Sequence, residues 1–180
     1  MSKFYTVNIA GRDEDLPIIP LSNELSIAFL NLHGNSDLTE FCGKKIADAL
    51  KNTDVEVLIT AESKGLQLTH VVAREMGHKF YAVARKSHKL YMKDGISSSV
   101  KSITTGSIQT LYLSAHDVDL IKGKKVAIVD DVISTGGSVM GLETLIKDAG
   151  GIISAKAFVL AEGDASKRDD IIYLGTIPLL

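Results

Sequence analysis

The sequence predicts an α/β domain built around a central, mainly parallel β-sheet. From residue 55 onward, short apolar strand-like runs alternate with segments of helical periodicity, which is the order expected of βαβ units. The chain has 180 residues, of which 45% are hydrophobic and 23% are charged, so it is long enough for one globular domain with a substantial core. We therefore expect a single domain over residues 1–180.

The first 35 residues do not follow this alternation and predict a small N-terminal hood or arm. Stretches that are rich in β-branched residues and punctuated by proline predict extended strands in this part of the chain. These stretches are residues 4–10, 16–21 and 25–32.

Residues 36–180 predict the α/β core. Asp37 and Glu40 have the spacing of an N-terminal capping box, and apolar residues recur behind them at helical spacing as far as Leu50. The later elements are predicted as strand 55–60, helix 65–76, strand 79–84, strand 126–129, helix 138–149, strand 152–160 and strand 171–174. Between them, residues 100–103 and 108–114 flank a polar Thr-Thr-Gly-Ser turn at 104–107, which predicts a hairpin.

The composition argues against several classes of function. The net charge is -2, from 20 basic and 22 acidic residues, which argues against nucleic acid as a partner. The single cysteine, Cys42, rules out an intrachain disulfide and a thiolate metal cage. No stretch approaches the ~18 consecutive apolar residues of a membrane span, and the first residues lack the apolar run of a signal peptide. We therefore expect a cytoplasmic protein without membrane association.

The most informative segment is VAIVDDVISTGGS, residues 126–138. An apolar strand leads into Asp130 and Asp131, then into a turn of small residues, and then into a helix. Gly136 and Gly137 allow the backbone to turn tightly and to approach a ligand closely. The amides of such a turn converge at a helix N-terminus, where the helix dipole favours an anion. The turn therefore predicts a phosphate pocket formed by Ser134, Thr135, Gly136, Gly137 and Ser138.

The two carboxylates would repel a phosphate and therefore need a different partner. Hard cations and sugar hydroxyls are the partners that suit paired carboxylates. Phosphate donors and hydroxyl acceptors a few residues apart together describe a ribose 5-phosphate. The simpler alternative is a solvated acid pair followed by an ordinary turn, but the complete ordered string at a strand-to-helix junction disfavours it. The sequence contains no G-x-x-x-x-G-K-[ST], H-E-x-x-H or G-x-S-x-G, and no G-x-G-x-x-G follows a strand.

This string resembles the phosphoribosyl pyrophosphate signature of type I phosphoribosyltransferases, which has the same order of apolar strand, two acids and Thr-Gly-Gly-Thr/Ser. The likeness extends over residues 55–165. The resemblance implies a Rossmann-like core, a flexible lid hairpin over about residues 87–115 and the small N-terminal hood. It also implies that Asp130 and Asp131 bind the ribose hydroxyls and contribute indirectly to a Mg2+ site, while residues 134–138 bind the 5-phosphate.

Ser63, Lys64 and Gly65 follow a predicted strand and precede a predicted helix. A turn of this kind is often a plain connection, but in this context it resembles the family's pyrophosphate loop. The resemblance implies a non-proline cis peptide in this loop, which we expect at Ser63–Lys64.

Arg85, Lys86 and Lys89 lie just beyond the carboxyl end of a predicted strand, where parallel sheets bind ligands. Such a charge run is often only a solvated face. Here it resembles the Arg-Lys-x-x-Lys of adenine and xanthine phosphoribosyltransferases, which implies that these cations neutralise a departing pyrophosphate. The catalytic candidates are Asp130, Asp131 and Lys89.

The base is the point at which the resemblance leaves most alternatives. Glu162 follows a predicted strand at a place that lies beside the purine in related enzymes, although an ordinary acidic turn would look the same. The adenine/xanthine branch matches best, which implies purine salvage from adenine and phosphoribosyl pyrophosphate to AMP and pyrophosphate, by a homodimer. The alternatives are a xanthine or hypoxanthine/guanine enzyme, or a regulator that senses phosphoribosyl pyrophosphate without catalysis.

Overall fold

The structure is a computed structural model that describes residues 3–22, 25–101 and 108–180. Its strands and helices, in chain order, are β1 (Phe4–Ile9), β2 (Arg12–Pro20), β3 (Ser26–Ala28), α1 (Ser36–Leu50), β4 (Val57–Ala61), α2 (Gly65–Glu75), β5 (Ala82–Ala84), β6 (Ile96–Lys101), β7 (Ile108–Leu113), α3 (Ala115–Ile121), β8 (Lys125–Ile133), α4 (Gly137–Asp148), β9 (Ile152–Glu162) and β10 (Ile172–Ile177). A short 3-10 helix, Gly163–Lys167, follows β9. In the described ranges, no helix is long and apolar enough to cross a membrane.

The central sheet is parallel and has the strand order β10-β9-β8-β4-β5. The chain runs from β4 outward to β5 on one side, and from β8 outward through β9 to β10 on the other. The winding direction therefore changes between β4 and β8, and loops that leave these two strands diverge. Open parallel sheets bind ligands at such a switch point, beyond the carboxyl ends of the strands.

Helices cover both faces of this sheet because its strands are apolar on both sides. In β8, Ala127 and Val129 belong to the hydrophobic cluster that contains α1 and α2. Val126 and Ile128 alternate with them and belong to the opposite cluster, which contains α4. The fold class predicted from the sequence, a Rossmann-like α/β core with a mainly parallel sheet, is confirmed.

The N-terminal strands form a separate antiparallel sheet in the order β1-β2-β3. This sheet lies at the β10 edge of the core. Ala10 N donates to Leu174 O at 2.9 Å, and Ser26 N donates to Leu180 O at 2.8 Å. The last residues of the chain therefore connect to the hood as well as to the core.

Several predicted boundaries differ from the structure. The proposed capping box at Asp37 and Glu40 is wrong, because helix α1 is capped two residues earlier, where the Asn35 side chain accepts from Leu38 N at 3.1 Å. Strand β8 does not end at residue 129 but continues to Ile133, since its pairing with β9 continues. Helix α3 was not predicted.

The lid hairpin is a two-stranded antiparallel ribbon of β6 and β7 outside the central sheet. Strand β6 begins at Ile96, four residues before the predicted start, in a segment whose serine-rich sequence carries little strand signal. The predicted turn at 104–107, with residues 102 and 103 of the predicted strand, lies outside the described residues.

Gly43 lets α1 approach α2, because a Cβ at this position would lie 2.4 Å from Val71 Cγ1. At an open helix position, replacing glycine by alanine stabilises the folded protein by about 1 kcal/mol. The overlap with Val71 makes the same substitution destabilising at this position. We expect Gly43→Ala to lower the free energy of unfolding by roughly 1–3 kcal/mol, measured by urea denaturation.

Val71→Ala removes Cγ1, the closer of the two overlapping Val71 carbons, and keeps Cβ, which would lie 2.6 Å away, so it provides a control that relieves part of the overlap. The double variant should lose less stability than the sum of the two single variants. A loss equal to that sum would contradict the proposed contact between Gly43 and Val71.

Candidate active site

A cleft of about 490 Å³ opens at the switch point between β4 and β8. Its walls are the loop from β4 to α2, the end of β8, the loop from β8 to α4, and single residues from other segments. The lining residues are His33, Ala61, Glu62, Ser63, Lys64, Lys86, Gln109, Asp130, Asp131, Val132, Ile133, Ser134, Thr135, Gly136, Gly137, Ser138 and Val139. The cleft therefore contains both loops that the sequence singled out.

The loop at 134–138 ends at the N-terminus of α4. Its turn residue, Gly136, has φ of +81°, a left-handed conformation that glycine adopts without strain. Gly136 caps α4 without a side-chain hydrogen bond, so the first amides of the helix remain available to a ligand. A Cβ on Gly136 would lie 3.4 Å from Arg168 Nη1, which puts a guanidinium next to the loop. This arrangement suits an anion.

The two acids lie within β8 itself. Asp131 is only 7% exposed, and its Oδ2 has no hydrogen-bond partner among the described residues. Lys64 Nζ lies 3.6 Å from this oxygen, which makes an ion pair but is too far for a hydrogen bond. An unpaired buried carboxylate oxygen is costly, so the structure leaves an acceptor that a ligand hydroxyl can satisfy.

Asp130 differs from its neighbour in electrostatics. Asp130 as a whole is half-buried, whereas Asp131 is buried. Burial raises the pKa of Asp130 to about 7, and the negative charge of Asp131 is the second cause of this rise. Asp131 N donates to Asp130 Oδ1 at 2.9 Å, which partly offsets this rise. The negative charge of Asp131 therefore opposes ionisation of Asp130.

The loop from β4 to α2 is packed tightly against the acid pair. A Cβ on Gly65 would lie 2.1 Å from Thr60 Oγ1 and 2.8 Å from Asp130 Oδ1, so only glycine fits. Lys64 Nζ also lies 4.7 Å from the centre of the Phe29 ring, which extends from the segment after β3. The cis peptide bond is Glu62–Ser63, one residue earlier than predicted, and the prediction at Ser63–Lys64 is wrong.

The predicted cations are divided between the cleft and its surroundings. Lys64 and Lys86 line the cleft. Arg85 instead donates from Nη1 to Glu62 Oε1 at 2.9 Å, and neither it nor Lys89 is among the cleft residues in the described part of the chain. Glu162 ends β9 at the same edge of the sheet, beside the cleft instead of in its lining.

Sequence reasoning missed four residues that lie at or beside the cleft. His33 and Gln109 come from the segment before α1 and from the lid strand β7, and nothing local in the sequence marks them. Arg168 reaches the loop at 134–138 from beyond the 3-10 helix, a contact made only by folding. Glu62 precedes the loop directly, and an acid so close to predicted cations was a signal that could have identified it.

The geometry agrees with the comparison to known proteins. A family model described as a phosphoribosyl transferase domain matches residues 33–176. The chain belongs to the phosphoribosyltransferase family. The likeness of its acid-and-glycine string to that of phosphoribosyltransferases is thereby confirmed, and the match covers both loops of the cleft.

Individual phosphoribosyltransferases are similar over most of the chain. A xanthine phosphoribosyltransferase of Exiguobacterium sp. is 30% identical over 149 residues, which are 82% of this chain and 76% of the relative. An adenine phosphoribosyltransferase of Methanococcus maripaludis is 35% identical over 128 residues, 71% of each chain. The solved adenine phosphoribosyltransferase of Thermoanaerobacter pseudethanolicus superposes with a TM-score of 0.75 at 20% identity, covering 90% of this chain and 95% of its own. The last comparison shows that the two proteins share a fold.

The raised pKa of Asp130 predicts how stability depends on pH. A carboxyl whose pKa is raised by folding stabilises the protein while it is protonated. That contribution is lost as pH rises from the unfolded value of ~4 towards about 7. We expect Asp130→Asn to gain about 1 kcal/mol or more relative to the parent across this interval. The readout is the difference in free energy of unfolding at each pH.

Asp164→Asn is a control for which the expected change in relative stability with pH has the opposite sign. The hydrogen bond from Lys167 lowers the pKa of the exposed Asp164, so its variant should lose relative stability as pH rises through the ordinary carboxyl range. An Asp130→Asn difference that does not change with pH would contradict the raised pKa.

Proposed function

We propose that the protein transfers the phosphoribosyl group of phosphoribosyl pyrophosphate to a purine base, with adenine as the preferred base, and releases pyrophosphate. The single observation that carries this proposal is the buried, unpartnered Asp131 Oδ2 in the same cleft as the uncapped N-terminus of α4. A ligand that satisfies both must bring a hydroxyl donor and an anion. A ribose 5-phosphate brings both.

In this proposal, the loop at 134–138 holds the 5-phosphate, and Asp130 and Asp131 accept hydrogen bonds from the ribose hydroxyls. Contacts at both ends of the sugar hold its C1 in position for attack by the base. This positioning accounts for much of the rate enhancement. Lys64 and Lys86, with Ser63 and Gly65 of the same loop, face the pyrophosphate. Their charge stabilises the negative charge that grows as the bond breaks.

The reaction needs no covalent enzyme intermediate. The bond between ribose C1 and the pyrophosphate oxygen breaks, and its electron pair leaves with pyrophosphate. A lone pair of the base nitrogen forms the new bond to C1, and the proton of that nitrogen is released. Asp130 and Asp131 lie close to the positive charge that develops on the sugar. Lys89 lies in the lid segment and is proposed to approach the leaving group when that segment closes.

The cleft fits Mg2+ bound together with the substrate. The described residues contain no cluster of three or more metal-ligating side chains, so the protein alone supplies few ligands. Mg2+ is held in this way when substrate oxygens and water complete its coordination. Asp130 and Asp131 would hold the ion indirectly, through those oxygens. Bound there, Mg2+ would offset the charge of pyrophosphate and polarise its oxygens.

The base is proposed to bind against Phe29 of the hood. The ring is half-buried, and Lys64 lies 4.7 Å from its centre, so an aromatic face and a cation lie beside the acid pair. Purines stack on such aromatic faces. Glu162 is proposed to accept a hydrogen bond from the base. Relatives named adenine phosphoribosyltransferase at up to 35% identity support adenine, and a relative named xanthine phosphoribosyltransferase at 30% supports the alternative.

The remaining features of the proposal concern the whole molecule. Residues 1–35 form the hood, residues 36–180 the core, and about residues 87–115 the lid that covers the bound substrate and excludes water. The active form is a homodimer in the cytoplasm.

A panel of bases tests the proposed reaction. With phosphoribosyl pyrophosphate and Mg2+, we expect adenine to give AMP with a kcat/KM at least about tenfold above hypoxanthine, guanine, xanthine and uracil, a ratio within reach of a few differing hydrogen bonds. The readout is nucleotide formation by chromatography. A preference for xanthine would replace the base but keep the reaction. Tight binding of phosphoribosyl pyrophosphate without turnover of any base would overturn catalysis in favour of a sensor.

Asp131→Ala tests the ribose contact. We expect kcat/KM for phosphoribosyl pyrophosphate to fall by roughly 10- to 100-fold, the loss expected for hydrogen bonds to a charged group. The melting temperature should be unchanged or higher, because the substitution removes a buried carboxylate whose Oδ2 accepts no hydrogen bond. Asp164→Ala, which removes an exposed acid outside the cleft, should leave kcat/KM unchanged. Undiminished activity of Asp131→Ala would refute its assignment.

A further inference from the structure

The Glu62 carboxylate connects the loop after β4 to the segment after β5. Its Oε1 accepts from Arg85 Nη1 at 2.9 Å, and its Oε2 accepts from the backbone N of Lys86 at 3.0 Å. The amide of Glu62 donates to Ala84 O at 2.9 Å. Three hydrogen bonds therefore fix the residue that directly precedes the proposed pyrophosphate loop to residues 84–86, just before the lid segment begins.

Glu62 also brings a negative charge into the wall of the cleft. Burial acts to raise the pKa of Glu62, but the hydrogen bonds from the Lys86 amide and the Arg85 guanidinium outweigh it, so the pKa lies below its ordinary value. The carboxylate is therefore ionised at neutral pH. Facing a pyrophosphate without a counter-charge, it would weaken binding by like-charge repulsion.

Arg85 supplies that counter-charge. Its guanidinium contacts Glu62, and it is not one of the cleft residues in the described ranges, whereas Lys64 and Lys86 are. The Glu62 and Arg85 side chains keep only 22% and 37% of their surface exposed, so solvent screens the pair less than a fully exposed one.

We propose that Arg85 is a positioning residue that neutralises Glu62, and that Lys64 and Lys86, not Arg85, contact the pyrophosphate. This inference rests on the proposed function and revises the expectation that all three cations after β5 are pyrophosphate ligands. Glu62 fixes the backbone that carries Lys86, and Arg85 allows a carboxylate to serve this purpose beside an anion.

Neutralising Glu62 and contacting pyrophosphate are two alternative roles for Arg85, and a second substitution, at Glu62, distinguishes them. If Arg85 neutralises Glu62, Arg85→Gln leaves an unpaired carboxylate in the cleft, and adding Glu62→Gln removes that charge and restores binding. If Arg85 contacts pyrophosphate directly, that contact stays lost, and Glu62→Gln changes the affinity for pyrophosphate by the same factor with Arg85 present or absent. A double-mutant cycle therefore separates the two roles.

The experiment measures the Kd of phosphoribosyl pyrophosphate, pyrophosphate and ribose 5-phosphate by calorimetry for the parent, both single variants and the double variant. We expect Arg85→Gln to weaken the first two ligands by about tenfold, within the range of coupled charged pairs, and the double variant to recover most of that loss. Ribose 5-phosphate should bind with unchanged Kd. A purely structural defect would weaken all three ligands alike.

Glu40 and Arg74 provide a matched control pair. Arg74 binds Glu40 through both terminal nitrogens, at 3.0 and 2.6 Å, between α1 and α2 and outside the cleft. The same substitutions there should leave all three Kd values unchanged. Replacing Glu62 and Arg85 together by methionine provides a second charge-free pair if the glutamine pair does not fold.

The outcomes distinguish this inference from the proposed function. A double variant that binds pyrophosphate no better than Arg85→Gln overturns the positioning role and leaves the proposed function intact. A parent protein that fails to bind phosphoribosyl pyrophosphate overturns both.

Discussion

The parallel pairing of β4 with β8 is the constraint on which the rest of the site depends. Its register aligns Val57 with Val126 and Ile59 with Ile128, at the point where the strand order changes direction. The two loops that leave these strands then face each other across a crevice. A slip by one residue would exchange the faces of β8 and turn Asp131 away from the cleft.

The charges of the cleft support the proposed sugar phosphate over either a simple anion or a simple cation. Glu62 is neutralised by Arg85, and Lys64 compensates Asp131 only from 3.6 Å. What remains available is one buried carboxylate oxygen and the amides at the start of α4. These groups require a hydroxyl donor and an anion in one ligand. Because each charged group has its own partner, carboxylates and phosphates can occupy one site without net repulsion.

The sequence was sufficient for the fold class and for the succession of strand, acid pair, glycine turn and helix at 126–138, because each depends on local order along the chain. Residues 126–138 combine strand, acids, glycines and helix in one stretch, and the structure keeps them together. Contacts formed only by folding were not predictable: Arg168 beside Gly136, Phe29 beside Lys64, and the pairing of Arg85 with Glu62. Helix α3 was missed because its seven residues carry too little periodicity, although Ser114 and Asp117 form its capping box.

The central claim is that one ligand satisfies both the phosphate loop and the acid pair. A crystal structure of the protein with ribose 5-phosphate tests it most directly. We expect the phosphate oxygens within hydrogen-bond distance of the backbone amides of residues 135–138, and a ribose hydroxyl donating to Asp131 Oδ2. A sugar phosphate bound elsewhere, with the loop at 134–138 empty and Asp131 Oδ2 still unpartnered, would contradict the account.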